Sequence, residues 1–277
     1  NALTFTYFWM GIKMVAEIKC LNSSSLTSSF IMSPSYWRFM SKFPSYGSLE
    51  SILLAFIQFK LIVKNRTFVH AACVTRNGEA ILMPAYSDTG KTSTSLSLCR
   101  DKTFDYLADD KTIVDESGNV FAFPSPITIS WGNLRHLPNR TPKQMIDLSL
   151  KKFFGKFIPL VYPTLSIPVE KAGVRIAKSS KIRFLTILEK GEESIKRIDS
   201  ETTFSKVWSL SHHTLTWHTH PFIVAYAYSD LKLSLKDMLE QEQQIVRNLI
   251  DKVDDIFLIR GKVTKFATIA SELLTAT

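Results

Sequence analysis

The most constraining feature of this sequence is an apolar run that enters a small polar loop and continues as a segment rich in serine and threonine. It reads AILMPAYSDTGKTSTSLSL and covers residues 80–98. Residues 80–84 are apolar and predict a buried strand, whereas 91–100 carry small and apolar residues at helical spacing and predict a short helix. In a strand, loop and helix of this order, the first N–H groups of the helix face any anion held by the loop. The segment therefore predicts an anion-binding loop.

The loop compares directly with the phosphate-binding pattern GxxxxGK[ST]. Its eight positions are Ala85, Tyr86, Ser87, Asp88, Thr89, Gly90, Lys91 and Thr92. In that pattern the lysine reaches the β- and γ-phosphates and the hydroxyl of the last residue binds Mg²⁺. Ala85 replaces the first glycine, and it fits only if its φ stays negative, since a left-handed alanine costs about 1–2 kcal/mol. A surface turn that ends in GKT is the alternative.

Two neighbouring features favour the phosphate interpretation. Asp109 and Asp110 follow an apolar strand in FDYLADDKTIVD, and carboxylates at such a strand end suit a bound metal and the removal of a hydroxyl proton. An aspartate-rich turn is the plain alternative. His70 interrupts the apolar run TFVHAAC, where a packed core histidine is the alternative to a functional one.

Taken together, these segments resemble a known enzyme family. The run RTFVHAACVTRNGEAILMPAYSDTGKTSTSLSL, followed by YLADDKTIV and AFPSPITI, is similar to the catalytic core of the HPr kinase/phosphorylase family, which is grouped with PEP carboxykinases. The resemblance covers about residues 66–130. It implies an α/β fold whose mixed β-sheet carries a P-loop kinase core, with a small N-terminal subdomain.

The resemblance also implies a role for each matching residue. Lys91 would bind phosphate, and Thr92 and Asp109 would bind Mg²⁺. Asp110 would accept the proton of the substrate hydroxyl, and His70 would lie near the transferring phosphate.

The sequence also departs from the family pattern. Glycines are missing at positions 85 and 88, and ITISWGNLRHLP stands where the family has a glycine-rich motif with a glutamate. Recognition of the HPr protein is therefore not expected. Arg135 in this segment is either a contact for phosphate or substrate, or a surface arginine.

Hydrophobic patterning predicts the rest of the architecture. We expect two domains, an α+β subdomain over 1–48 and a nucleotide-binding domain over 49–277. The asparagine–glycine pair at 77–78 predicts a hairpin turn. Further expected elements are helices near 49–65, 142–156, 200–212, 235–253 and 262–276, strands over 104–130 and 255–261, and a strand pair within 173–191.

Composition limits the function classes. The net charge of +9 suits phosphate-bearing partners, but the basic residues are spread along the chain, so nucleic-acid binding is the weakest of three hypotheses. Three widely spaced cysteines, Cys20, Cys73 and Cys99, indicate a reducing cytoplasm and no disulfide framework. Apolar segments are too short to span a bilayer, and no membrane partner is expected. The sequence neither predicts nor excludes a homo-oligomer.

A second cluster of chemically active residues lies in SHHTLTWHTHP. It contains His212, His213, His218 and His220. Alternation in an extended segment would place His218 and His220 on one face, as a metal pair requires. Histidines that face solvent or substrate at the end of a helix are the favoured alternative.

The sequence thus predicts a cytoplasmic, Mg²⁺-dependent kinase that transfers the γ-phosphoryl group of ATP or GTP to a hydroxyl of a small molecule, a peptide or a protein serine. The rival hypothesis is a nucleotide-binding or nucleotide-sensing protein that keeps the fold and has lost catalysis.

Overall fold

The computed structural model describes residues 2–9, 12–19, 29–35, 49–157, 163–229 and 233–275. The strands in chain order are β1 (Ala2–Trp9), β2 (Ile12–Lys19), β3 (Ser29–Met32), β4 (Arg66–Val69), β5 (Ala71–Arg76), β6 (Glu79–Pro84), β7 (Asp105–Ala108), β8 (Thr112–Asp115), β9 (Asn119–Phe121), β10 (Ile127–Ser130), β11 (Thr164–Ile167), β12 (Ser179–Lys190), β13 (Ser194–Arg197) and β14 (Asp255–Gly261). The helices are α1 (Leu49–Ile62), α2 (Lys91–Cys99), α3 (Pro142–Phe154), α4 (Ser200–Thr214), α5 (Pro221–Ser229), α6 (Leu235–Asp251) and α7 (Val263–Thr275).

A mixed sheet dominates the fold and confirms the predicted α/β class. Over the described residues it has nine strands, with a path β4-β8-β9-β12-β6-β5-β7 and with β14 joining β12 to β13. Only the pairings of β12 with β6 and with β14 are parallel among those with a defined register, and the others are antiparallel. Separate antiparallel sheets are formed by β1-β2-β3 and by β10-β11.

The hairpin of β5 and β6 forms as the sequence predicts. Asn77 and Gly78 both have positive φ, 53° and 83°, which is the geometry of a type I′ turn. Arg76 pairs with Glu79, and Ala71 pairs with Pro84 at the far end. The turn therefore fixes the register that carries β6 into the loop at residue 85.

Strands β5 and β6 are buried on both faces, which explains their continuous apolar runs. Alternate residues enter two core clusters: Val74, Ile81 and Met83 pack on one face, and Cys73 and Leu82 pack on the other. Helices α2 and α7 contribute to the first face, and α4 and α6 to the second. The sheet is a central layer with helices on both sides.

The described chain divides into two compact units. One unit contains Asn1–Thr67 and His212–Ile245, and the other contains Phe68–Ser211 and Val246–Thr277. Helix α1 joins the first unit because its apolar side packs with Trp217 and α5 in a separate core cluster. The predicted boundary itself, at residue 48, lies outside the described residues and stays a prediction.

One local expectation requires correction. The expected strand pair within 173–191 is one twelve-residue strand, β12, because Ser179–Lys181 pair with β9 instead of turning. The extended, alternating segment considered as one alternative for 217–220 is not observed. Residues Trp217–Thr219 form a 3₁₀ turn that buries Trp217.

Candidate functional site

The candidate site forms at one edge of the central sheet. Strand β5 is antiparallel to β6 and to β7, so β6 and β7 end at the edge where β5 begins. His70 immediately precedes β5, the loop at 85–90 follows β6, and Asp109 and Asp110 follow β7. Residues distant in sequence therefore converge because of strand direction alone.

Helix α2 presents its N-terminus to this edge. Its first residue is Lys91, its N-cap is Gly90, and no side chain caps it. The first N–H groups of a helix lack intrahelical acceptors, and together with the helix dipole they attract an anion. The helix contains no acidic residue in its first turn, so nothing in that turn competes with an anion.

Gly90 is required by the backbone and by packing. Its φ is +111°, a region that side chains rarely adopt. A Cβ atom built there would lie 2.4 Å from Cγ1 of Val263 at the start of α7. The second glycine of the phosphate-binding pattern therefore allows the loop to pass close to α7.

Ala85 and Asp88, which stand where the resembling family has glycine, have different backbone conformations. Ala85 is buried, forms a parallel bridge with Leu188, and is not among the described non-glycine residues with positive φ. The condition for an alanine at this position is thus met. Asp88, by contrast, has φ +60° and is exposed, so it occupies a left-handed conformation that glycine favours.

The side chain of Lys91 is buried and tied to the loop. Its Nζ donates to the carbonyl oxygens of Ala85 at 2.7 Å and Tyr86 at 3.3 Å, and lies 2.9 Å from Nε2 of His70. Burial lowers the pKa of Lys91, while the carboxylate of Asp110, 3.8 Å away, acts in the opposite direction. The ammonium is therefore held at the base of the loop.

His70 has one tautomer that satisfies both ring nitrogens. Nδ1 lies 2.9 Å from the carbonyl oxygen of Asp110, which only accepts, so Nδ1 carries the proton. Nε2 then accepts from Lys91. Burial, reinforced by the charge of Lys91, lowers the pKa of His70 from 6.5 to about 4. The imidazole is neutral at pH 7 and positions Lys91 relative to Asp110.

Asp109 is buried with one oxygen left unpartnered. Its Oδ2 accepts from the Thr92 hydroxyl at 2.6 Å, and its Oδ1 has no hydrogen-bond partner within the described part of the chain. Burial and the neighbouring charge of Asp110 raise its pKa to about 7. A buried, unsatisfied carboxylate oxygen is costly unless a ligand satisfies it, and with the Thr92 hydroxyl it offers the oxygen donors that Mg²⁺ prefers.

Asp110 differs from its neighbour in exposure and orientation. Its side chain is 52% exposed and its φ is +65°, which turns it away from the strand direction. It lines an adjoining cleft of about 500 Å³, and Asp109 does not. The structure therefore separates the two carboxylates into one inside the protein and one that faces the cleft.

The cleft gathers most of the predicted loop residues. Ser87, Asp88, Gly90, Lys91 and Thr92 line one side. A polar wall of the cleft comes mainly from β10, β11 and the turn after β10, with residues Thr128, Ser130, Gly132, Asn133, Arg135 and Thr164.

Arg135 is thus in the same cleft as Lys91, as a substrate or phosphate contact requires. Its Nε donates to Nε2 of His136 at 3.0 Å. The Ser93 hydroxyl donates to Oδ1 of Asn133, which ties α2 to this wall. No sequence pattern indicates the hydroxyls of Thr128, Ser130 and Thr164, because they meet only when β10 pairs with β11.

The remaining loop positions face elsewhere. Tyr86 and Thr89 line a second cleft of about 490 Å³, together with residues of β12 and α4. Of the eight loop positions, Ala85 lines neither of these clefts. The loop backbone therefore runs between two depressions, and only one of them contains Lys91 and Asp110.

The histidine cluster is not arranged as the metal pair that the sequence offered as its less favoured alternative. The rings of His212 and His218 lie 5.3 Å apart, and Nε2 of His212 is 3.5 Å from the Glu242 carboxylate. His220 instead packs on Phe222, and His213 is exposed. Within the described ranges, no three histidine, cysteine, aspartate or glutamate side chains are placed to hold a metal.

Two further expectations concern cysteines and membranes. Cys73 and Cys99 are buried free thiols, and burial raises the pKa of both. Cys20 lies outside the described residues. Among the helices described, none combines the length and apolar character needed to cross a bilayer.

Comparisons with known proteins find similarity among solved structures but no matching sequence family. No family model matches the chain, and no curated protein matches it. Among solved structures, the chain is similar to the Hpr(Ser) kinase/phosphatase from Coxiella burnetii, with 10% identity and a TM-score of 0.33 over 76% of this chain and 95% of that chain. The function proposed for this chain rests on its own residues.

Proposed function

We propose that this protein is a Mg²⁺-dependent phosphotransferase, which transfers the γ-phosphoryl group of ATP or GTP to a hydroxyl of a small molecule, a peptide or a protein serine. The observation that carries the proposal is the convergence, in one cleft, of an uncapped helix N-terminus, Lys91 and Asp110, with the unpartnered oxygen of Asp109 behind them. The same convergence supports the P-loop kinase core implied by the sequence.

Each residue has a role that follows from its position. The N–H groups at the start of α2 and the ammonium of Lys91 neutralise the phosphate oxygens, since both lie at the loop. Lys91 exchanges its carbonyl partners, Ala85 and Tyr86, for phosphate oxygens. His70 is a positioning residue, because its neutral ring accepts from Lys91.

The carboxylates of Asp109 and Asp110 have different roles in the proposed reaction. Thr92 and Asp109 would hold Mg²⁺, which supplies neutralisation of charge on the β- and γ-phosphates. Asp110 is exposed to the cleft, so it orients the acceptor hydroxyl and takes its proton. Arg135 on the polar wall contributes positive charge to the cleft in which the transferring group lies.

A specific observation also favours a second candidate, a nucleotide-sensing protein without catalysis. Asp88 projects a carboxylate from the loop into the same cleft, where it opposes phosphate binding. This candidate predicts nucleotide binding without phosphoryl transfer.

The test combines calorimetry with a turnover assay. Mg-ATP and Mg-GTP are titrated into the full chain, and ADP or GDP formation is measured with water, glycerol, free serine and a serine-containing peptide as acceptors. We expect Lys91→Ala to lower turnover by about 10³-fold, because it removes a cation that contacts the transferring phosphate. Lys178→Ala, which changes an exposed lysine, is the matched control.

A second variant separates binding from chemistry. Asp110→Asn alters an exposed side chain, so we expect the fold and nucleotide affinity to be retained while turnover falls about 10²-fold.

Wild-type turnover in Lys91→Ala would remove Lys91 from the mechanism. Binding by the wild type with no turnover on any acceptor would favour the sensing protein.

A further inference from the structure

Helix α3 carries an apolar stripe that faces away from its own protein. Ile146, Leu150, Phe153 and Phe154 recur at helical spacing, and Phe157 in the following turn continues the stripe. Their side chains are between 46% and 70% exposed. In contrast, Leu148, on the opposite side of the helix, is the residue that packs in the core.

The exposed aromatic rings form one contiguous surface. The ring of Phe153 lies 5.5 Å from those of both Phe154 and Phe157, so the rings contact each other at the end of the helix. Trp131 is 45% exposed and lies beneath the ammonium of Lys152. Contiguous exposed apolar surface of this kind marks an interaction site in soluble domains.

Lysines border the stripe on both sides. Residues 142–157 contain four lysines, Lys143, Lys151, Lys152 and Lys156, and one carboxylate, Asp147. The lysines are exposed, whereas Asp147 is only partly so. We call this surface, made by residues 142–157 and Trp131, the α3 surface. It has the composition of helices that lie in the headgroup region of a bilayer, with aromatic and aliphatic side chains on one face and lysines around them.

We propose that the α3 surface binds peripherally to membranes that contain anionic lipids. The lysines complement anionic headgroups, and the phenylalanine, leucine and isoleucine side chains enter the acyl boundary. A second copy of this chain is disfavoured as the occupant, because isologous pairing would bring two sets of lysines together. This proposal goes beyond the proposed function. The sequence expectation of no membrane partner rests on the lack of a spanning segment, which peripheral binding does not require.

The α3 surface adjoins the candidate site. Nζ of Lys151 donates to the carbonyl oxygen of Thr164 at 2.9 Å, and Thr164 lines the cleft that contains Lys91. Trp131 lies between Ser130 and Gly132, which line the same wall. A bilayer bound at the α3 surface would therefore lie beside the cleft.

The test is co-sedimentation of the full chain with vesicles of 70% phosphatidylcholine and 30% phosphatidylserine, and with vesicles of phosphatidylcholine alone. We expect binding to the anionic vesicles, at least tenfold weaker binding to the neutral ones, and release at 0.5 M NaCl. A stripe variant, Ile146→Ser with Phe153→Ser and Phe157→Ser, should bind at least tenfold more weakly. Its control is Ile195→Ser with Tyr228→Ser, which changes exposed apolar residues elsewhere.

A charge variant keeps the proposal testable if the stripe variant folds poorly. Lys151→Glu with Lys152→Glu should weaken binding to anionic vesicles by more than tenfold, since each lysine contributes roughly fivefold near an anionic surface. Lys64→Glu with Lys236→Glu, two exposed lysines elsewhere, should bind as the wild type does. The proposal is overturned if the wild type does not sediment with anionic vesicles, or if it instead binds an acidic peptide with leucine residues. Stripe and charge variants that bind as the wild type does would also overturn it.

Discussion

Two buried carboxylates, Glu242 and Asp109, show how differently this protein treats the same chemical group. Glu242 is 3% exposed and accepts hydrogen bonds from Thr67 at 2.7 Å and Trp217 at 2.9 Å, and also from Gln58. Both of its oxygens are therefore occupied.

Asp109 is 5% exposed, yet only one of its oxygens has a partner in the described structure. Buried polar groups in proteins are nearly always satisfied, and a carboxyl group whose pKa is strongly raised is typical of functional sites. Glu242 therefore organises a polar core, whereas Asp109 keeps one oxygen available to a ligand.

The largest expected effect on stability is at Glu242. Glu242→Ala leaves the donors of Gln58, Thr67 and Trp217 without their acceptor, so we expect a loss of about 3–5 kcal/mol in the free energy of unfolding. Urea denaturation followed by circular dichroism measures it. Glu240→Ala, which changes an exposed glutamate of the same helix, should change stability by less than about 0.5 kcal/mol. Equal effects of the two variants would refute the structural role of Glu242.

Removing the charge of Asp109 is expected to raise the free energy of unfolding, whereas removing that of Glu242 lowers it. Its pKa is raised to about 7 in the folded protein, against about 3.9 when unfolded. Its contribution to stability is therefore fully present below about pH 4 and is lost as the pH rises toward 7. Asp109→Asn removes this loss, and we expect it to be more stable than the wild type at pH 8 by about 2–4 kcal/mol.

The measurement for Asp109 is urea denaturation at pH 4 and pH 8 without added Mg²⁺. The gain from Asp109→Asn should be absent at the lower pH. In a separate assay at pH 8 with Mg²⁺ present, this variant should have lost turnover. If this variant destabilises the protein at pH 8, Asp109 is a structural group like Glu242, and the contrast fails.

The smallest expected effect concerns Asp88. Asp88→Gly removes a carboxylate from the cleft and a left-handed aspartate from the loop. We expect about 1 kcal/mol of added stability and a three- to tenfold rise in affinity for Mg-ATP, measured by calorimetry. Asp88→Asn keeps a residue that tolerates positive φ and removes only the charge, so it separates the two causes. Unchanged affinity in both variants would mean that Asp88 does not face bound phosphate.

Features set by neighbouring residues could be predicted from the sequence. The turn at Asn77 and Gly78, the strand that follows it and the helix that begins at Lys91 form as expected, because each depends on local conformational preferences. That Asp109 and Asp110 act together with the loop was expected from their position at a strand end and from the family resemblance. That one of them is buried and the other exposed depends on how β7 ends, which the sequence did not indicate.

Features set by long-range pairing could not be predicted. The sequence indicated a turn within β12, because the polar residues Ser179 and Ser180 resemble a loop until their pairing with β9 is known. Helix α5 was not predicted from the sequence. It is apolar on most sides, so it lacks the one-sided pattern of a surface helix. The wall of Thr128, Ser130 and Thr164 is formed by strands more than thirty residues apart, and no local signal marks it.

A crystal structure of the full chain with Mg²⁺ and a non-hydrolysable ATP analogue would test the phosphate-binding role of the loop. We expect the triphosphate to lie against the N-terminus of α2 and Nζ of Lys91 to leave the carbonyl oxygens of Ala85 and Tyr86 for the phosphates. We also expect the metal to lie beside Thr92 and Asp109. A nucleotide bound elsewhere, with Lys91 still bonded to its loop and Asp109 Oδ1 still unpartnered, would contradict this role.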